Sequence, residues 1–191
     1  MYSSPEALRA EICSLYLGNG ARAYGLYELT QLAHALQSAA HAEAQGLPSA
    51  MVIACMLHDV GHMVHELGEA PARAGVDDRH EELGADWVAA RFPAPVSAPI
   101  RLHVAAKRYL CSAEPGYLAT LSRDSLLSLV LQGGLMSVEE QAAFRADPHA
   151  EAALALRRID ELAKDKHAQP DPIEAFLDRH LVPALAVPVA A

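Results

Sequence analysis

The sequence predicts an all-α domain, and three observations carry that expectation. Alternating apolar and polar runs of the kind that make half-buried strands are scarce. Ala, Leu and Glu, which favour helix, dominate the chain. Helix-starting and helix-ending residues recur at intervals of one helix length. With 191 residues, 52% of them apolar and 20% charged, there is material for one hydrophobic core and hardly for two. One domain over residues 1–191 is therefore expected.

The elements follow in order. Ser4-Pro5-Glu6 reads as a helix start, with Ser4 as cap and Pro5 in the first turn. That helix ends near Gly18-Asn19-Gly20. A second runs from about Leu29 to Gln45 and stops at Gly46, a favourable left-handed position. Pro48-Ser49 open a third, Ala50 to about Val60. Residues 63–78, with Gly68, Pro71, Gly75 and two aspartates, read as a surface excursion. Helices resume over 79–90 and 96–110, residues 111–121 read as a loop, and another helix covers 123–131 before Gly133-Gly134. Ser137-Val-Glu-Glu140 is a capping box. Asp147-Pro148 introduce a helix over 149–163, and a last one spans 170–181 before an Ala/Pro/Val tail.

A formal charge of -9 argues against broad binding of nucleic acid or anionic membrane. It leaves room for a small anionic substrate in a locally positive pocket. Cys13, Cys55 and Cys111 are odd in number and far apart, which reads as reduced thiols. No leader-like start or membrane-length apolar run is evident, so a cytoplasmic protein, monomeric or weakly homo-oligomeric, is expected.

The chemistry gathers around His58-Asp59, an acid and an imidazole at the end of the apolar run Ala54-Cys-Met-Leu57. Burying such a pair without partners costs several kcal/mol, and a metal ion is an economical partner. Imidazole and carboxylate together suit first-row metals, iron included. Asp59 has two oxygens and can bridge two ions. His34 in the second helix and His58 would hold one ion with Asp59; His80 and His103 would serve the other; Asp160, in Arg157-Arg-Ile-Asp160, would complete the first. Singly, each histidine fits a hydrogen-bonded core residue equally well; the ordered set does not.

That set resembles the HD-domain metalloproteins, and within them the mixed-valent diiron oxygenases that cleave carbon–phosphorus bonds. The stretches that carry the resemblance are Gln31-Leu-Ala-His34-Ala-Leu-Gln37, Leu57-His-Asp-Val-Gly-His62, His80-Glu-Glu-Leu-Gly-Ala-Asp86, His103-Val-Ala-Ala-Lys-Arg-Tyr-Leu110, Gln132-Gly-Gly-Leu-Met136 and Arg157-Arg-Ile-Asp160. The resemblance implies an HD-domain helical bundle with the metal site in its core, at about residues 24–160, and a C-terminal helix and tail over 165–191. It also implies two irons as Fe(II)/Fe(III), dioxygen as co-substrate, and no nicotinamide or flavin.

Lys107 lies four residues after His103, and Arg157 three before Asp160, so each shares a helical face with a metal-side residue. Two cations there make an anion site, which in the resembling enzymes holds the phosphonate. Ser125, Ser128 and Gln132 can add hydrogen bonds, Ser125 and Gln132 being preferred. His62, one turn beyond His58, would lie over the substrate as a hydrogen-bond donor or acid/base group. Tyr24 matches a tyrosine that substrate displaces from iron in those enzymes. Tyr27 stands where the primary-amine enzyme has an ammonium-binding glutamate. An aromatic face suits a quaternary ammonium, which has no N–H, by about 0.5–2 kcal/mol. Glu28 is a neighbouring source of negative charge. The implied substrate is a small zwitterionic hydroxyphosphonate, (R)-1-hydroxy-2-(trimethylammonio)ethylphosphonate, cleaved to glycine betaine and phosphate. The primary-amine analogue, an HD-type phosphohydrolase and a metal-stabilised interaction module are the alternatives.

Overall fold

The computed structural model describes residues 4–21, 29–64 and 75–187. Among them lie eleven α-helices and no β-strand. In order these are α1 (Pro5–Asn19), α2 (Gln31–Ala44), α3 (Ser49–Leu57), α4 (Gly61–Val64), α5 (His80–Ala89), α6 (Ala94–Ala113), α7 (Tyr117–Thr120), α8 (Arg123–Leu131), α9 (Val138–Ala146), α10 (Ala150–Leu162) and α11 (Ile173–Leu185).

Helix α3 is the axis. Every residue from Ala50 to Leu57 is buried, and a helix apolar on all sides must be enclosed by others. Helices α2, α6, α10 and α11 enclose it. Two apolar clusters result. The larger joins Ile12 and Tyr16 of α1 to Ile53 and Met56 of α3, Ile100 of α6, Ile159 of α10 and Phe176 of α11. The smaller joins Leu110 of α6 and Leu154 of α10 to Tyr117, Leu129 and Phe144. Helices α6 and α10 pack together and run through both clusters. His103 and Lys107 lie on α6, and Arg157 and Asp160 on α10, between the two clusters.

Local chemistry explains the ends. Ser4, Thr30 and Ser122 accept backbone N–H bonds as caps of α1, α2 and α8. Ser137 and Glu140 form the expected reciprocal box ahead of α9. Gly46 takes its left-handed φ of 67° after α2.

Four boundaries differ from the sequence reading. The third helix stops at Leu57, and residues 58–60 form a turn before α4. Helix α6 begins at Ala94 rather than Val96, because Pro95 lies in the first turn, where a missing N–H costs nothing; Pro99 alone is interior. Residues 111–121 are not all loop: α6 continues to Ala113 and α7 follows, since Cys111, Tyr117 and Leu121 are buried in the smaller cluster. The last helix spans Ile173–Leu185, displaced from 170–181, with Pro172 as its N-cap and Pro183 inside it. No helix among the described residues is long and apolar enough to cross a membrane.

Candidate metal centre

Five elements bring six side chains to one point. His34 comes from α2, His58 and Asp59 from the turn after α3, His80 from the first position of α5, His103 from α6 and Asp160 from α10. The four histidines and Asp160 are buried. Asp59 divides its carboxylate between them. Its Oδ2 lies 3.6 Å from His34 Nε2 and 3.3 Å from His58 Nε2, and its Oδ1 lies 3.8 Å from His80 Nε2 and 3.9 Å from His103 Nε2. Asp160 Oδ1 adds a second carboxylate on the His34 side, 3.4 Å from its Nε2.

The tautomers follow from what the other ring nitrogens touch. His34 Nδ1 is 2.8 Å from the Ala163 carbonyl, His58 Nδ1 2.9 Å from that of Cys55, and His103 Nδ1 2.7 Å from that of Ile100. His80 Nδ1 is 2.9 Å from Asp78 Oδ1. Carbonyls and carboxylates only accept, so each Nδ1 carries the proton and each neutral ring turns a bare Nε2 inward. Those lone pairs meet head-on: His34 and His58 Nε2 are 3.2 Å apart, as are His80 and His103 Nε2. Two bare nitrogens at that distance repel unless a cation lies against them. Without metal, a proton on His58 meets that need on one side. Burial opposes it, but Asp59 and Asp160 raise the His58 pKa to about 9. The triads His34–His58–Asp59 and Asp59–His80–His103 each bring their donor atoms within 4.8 Å of one another. Buried imidazole and carboxylate clusters of this kind point to a binuclear metal site, and the donor set fits first-row ions.

Asp78 was not foreseen. Residues 63–78 read as a surface excursion, yet Met63 and Asp78 are buried. The Asp78 carboxylate also accepts from His62 Nδ1 at 2.8 Å. Burial opposes its ionisation, but the bonds from His62 and His80 hold the carboxyl well below the usual range. The sequence signal was an Asp two residues ahead of a candidate ligand, masked by the Gly- and Pro-rich segment before it.

Beside this cluster sit the two cations. Lys107 and Arg157 are both 4% exposed, which removes the reading of either as a solvated surface charge. Lys107 Nζ donates to Ser128 Oγ at 2.8 Å and Gln132 Oε1 at 2.5 Å. Burial, with the Arg157 charge nearby, lowers its pKa to about 7. Arg157 pairs with Asp160 and with Glu161, and reaches Ser125 Oγ at 3.4 Å. Ser125, Ser128 and Gln132 are thus all gathered here from α8 and its C-cap, and Ser128, the less favoured serine, holds the shorter bond. Tyr24, Tyr27 and Glu28 lie outside the described residues.

Comparison with known proteins agrees with this geometry. The chain is 38% identical over 160 residues to the [1-hydroxy-2-(trimethylamino)ethyl]phosphonate dioxygenase (glycine-betaine-forming) of Leisingera caerulea, covering 80% of this chain and 82% of that one. It is 40% identical over 170 residues to the hydroxymethylphosphonate dioxygenase of Gimesia maris, covering 82% and 85%. This chain belongs to the HD-domain diiron oxygenases. It is also 33% identical over 156 residues to the uncharacterised protein L432 of Acanthamoeba polyphaga mimivirus, covering 80% of this chain and 71% of that one. No family model matches the chain. As an HD-domain diiron oxygenase it is an oxidoreductase, built as an all-α bundle with His/Asp triads in its core.

Proposed function

We propose that this protein uses two irons and dioxygen to cleave the carbon–phosphorus bond of (R)-1-hydroxy-2-(trimethylammonio)ethylphosphonate, releasing glycine betaine and phosphate. The observation that carries the reading is the pairing of four inward Nε2 atoms and a two-sided Asp59 with two buried cations, Lys107 and Arg157. His34, His58, Asp59 and Asp160 would hold one iron, and Asp59, His80 and His103 the other. Bound there, the irons would supply the redox chemistry for dioxygen and take up the substrate hydroxyl.

The chain's own residues have separate tasks. Lys107 and Arg157 hold the phosphonate and offset charge on the departing phosphate. Ser125, Ser128 and Gln132 turn these cations toward the anion and share its oxygens. His62, with Nδ1–H given to Asp78, presents Nε2 to the substrate and can accept the C1 hydroxyl proton. By the resemblance, Tyr24 would fill the substrate position until substrate enters, and Tyr27 would meet the trimethylammonium group. In the overall reaction the C1–H, C1–P and O–O bonds break; C1 gains one C–O bond and becomes the carboxylate carbon, phosphorus gains one P–O bond and leaves as phosphate, and dioxygen takes up the four electrons lost by the substrate.

A second reading has its own support: the Gimesia maris relative acts on hydroxymethylphosphonate, which has no ammonium group. The test is phosphate release by the iron-loaded protein in air and under strict anaerobiosis, with the trimethylated, primary-amine and hydroxymethyl substrates side by side. Oxygen-dependent release, with kcat/KM highest for the trimethylated compound, is expected. Tyr27→Glu should move preference toward the primary amine. Equal release without oxygen would overturn the oxygenase reading, and a preference for hydroxymethylphosphonate would overturn the role given to Tyr27.

A further inference from the structure

Three of the four inward histidines give their Nδ1–H to main-chain carbonyls, those of Ala163, Cys55 and Ile100. His80 alone gives it to a carboxylate. That carboxylate is shared. Asp78 Oδ1 takes the bond from His80 at 2.9 Å and Oδ2 the bond from His62 at 2.8 Å. The two rings stack with centroids 4.0 Å apart and planes 20° from parallel. Their Nε2 atoms converge on one oxygen, Asp59 Oδ1, at 3.8 Å from His80 and 4.0 Å from His62. The local chain is bent to make this possible. Arg79, between Asp78 and His80, has φ 49° and ψ 38°, and is the one non-glycine residue of positive φ among those described.

We infer that Asp78 is a positioning residue that locks His80 and His62 in the same tautomer with one carboxylate, and so ties the second metal position to the substrate-facing imidazole. This rests on the reading of the six side chains as a two-metal site. A carboxylate partner strengthens a histidine as a metal donor more than a carbonyl does, and removing such a partner commonly weakens metal binding about 10–100-fold. The lock also makes the two metal positions unequal, because Asp78 acts on the His80–His103 side only. His62 receives the same treatment without being counted among the six: its proton is fixed on Nδ1, leaving Nε2 to face the substrate.

Sharing sets up a competition that can be measured without turnover. An Asn side chain has one acceptor oxygen, so Asp78→Asn can serve one imidazole and must turn its NH2 toward the other. Iron per chain would be measured after gel filtration across a range of free iron, alongside thermal melting of the metal-free proteins. The wild type should hold two irons. Asp78→Asn should hold one as the wild type does and bind the second about 10–100-fold more weakly. The decisive variant is the double one. With His62→Ala added, the Asn oxygen is released to His80, and retention of the second iron should recover toward the wild-type value.

Wild-type retention of both irons in Asp78→Asn and Asp78→Ala would overturn the lock on His80. A double variant no better than Asp78→Asn would overturn the sharing with His62. Three irons per chain in the wild type would make Asp78 a ligand and overturn the positioning role. If phosphonate cleavage itself fails in the substrate test, the iron measurements still decide between these outcomes.

Discussion

Lys107 has carried its ammonium out of water and beside Arg157, and these two effects bring its pKa to about 7. In the anion-holding role proposed for it, Lys107 works only when protonated. Below about pH 7 it is charged; above that, each further pH unit removes about tenfold of the competent form. The kcat/KM for a phosphonate should therefore fall on the alkaline side with an apparent pKa near 7, since that ratio reports the free enzyme. Lys107→Arg should remove this limb, because a guanidinium stays charged throughout the range. Lys107→Ala should lower kcat/KM about 10–100-fold, the worth of a charged hydrogen bond. A pH profile of the three proteins checks both statements, and an unchanged limb in the arginine variant would place the titration elsewhere. At this scale much was legible in the sequence. His34, His80, His103 and Asp160, which the structure gathers around Asp59, could be picked out because each lies in a helix-forming stretch and a bridging Asp59 would require partners. Asp78 was not, because what makes it matter is the left-handed turn at Arg79, and arginine gives no hint of such a backbone.

Among the elements, the approach of α4 to α5 has the tightest tolerance. A Cβ placed on Gly61 would meet the His80 carbonyl oxygen at 2.0 Å and its Cα at 2.8 Å. One placed on Gly84 would meet Gly61 N at 3.0 Å. The two glycines therefore let one backbone lie against the other, and this contact sets how far His80 stands from the His58-Asp59 turn. Gly61→Ala should force the helices apart. The expected cost is about 1–3 kcal/mol of stability, with weaker iron retention at the His80–His103 position. Chemical denaturation with iron analysis measures both. It also explains why the third helix was overestimated. Periodicity carries the apolar pattern through Val60, but the chain has to leave the helix after Leu57 to bring Gly61 against α5. Helix α6 was underestimated at both ends: it opens at Ala94 with Pro95 in its first turn and runs on to Ala113.

For the molecule as a whole, the buried polar centre is a liability until filled. The facing Nε2 pairs and two carboxylates are enclosed by apolar helices, so an ion that binds only the folded chain stabilises it by mass action. Free metal at 100 times its Kd adds about 2.7 kcal/mol. In a chain of this length that raises Tm by about 5–10 °C, and chelation should lower it by the same amount. Metal uptake near neutral pH should also release protons, because His58 holds one in the metal-free state. Calorimetry in two buffers of different ionisation enthalpy measures that release. The class of fold was readable because helix signals agreed along the chain. The enclosure was not, because which helix lies at the axis depends on how α2, α6, α10 and α11 assemble around α3.

Helices α6 and α10 carry the same arrangement: a metal-side residue and a cation one turn apart, His103 with Lys107 and Asp160 with Arg157. At 1.5 Å of rise per residue, the two backbones set these groups about 6 Å and 4.5 Å apart along their axes. The packed pair thus acts as a calliper, with jaws that cannot be opened without breaking helix. In the proposed reaction it would grip a molecule whose hydroxyl and phosphorus share one carbon. Moving the hydroxyl one carbon further away would shift the reacting bond by about 1 Å or more, a misplacement worth about 100-fold in rate. A 2-hydroxyphosphonate of equal charge should accordingly bind as a competitor of the 1-hydroxy compound and turn over at no more than about a hundredth of its rate.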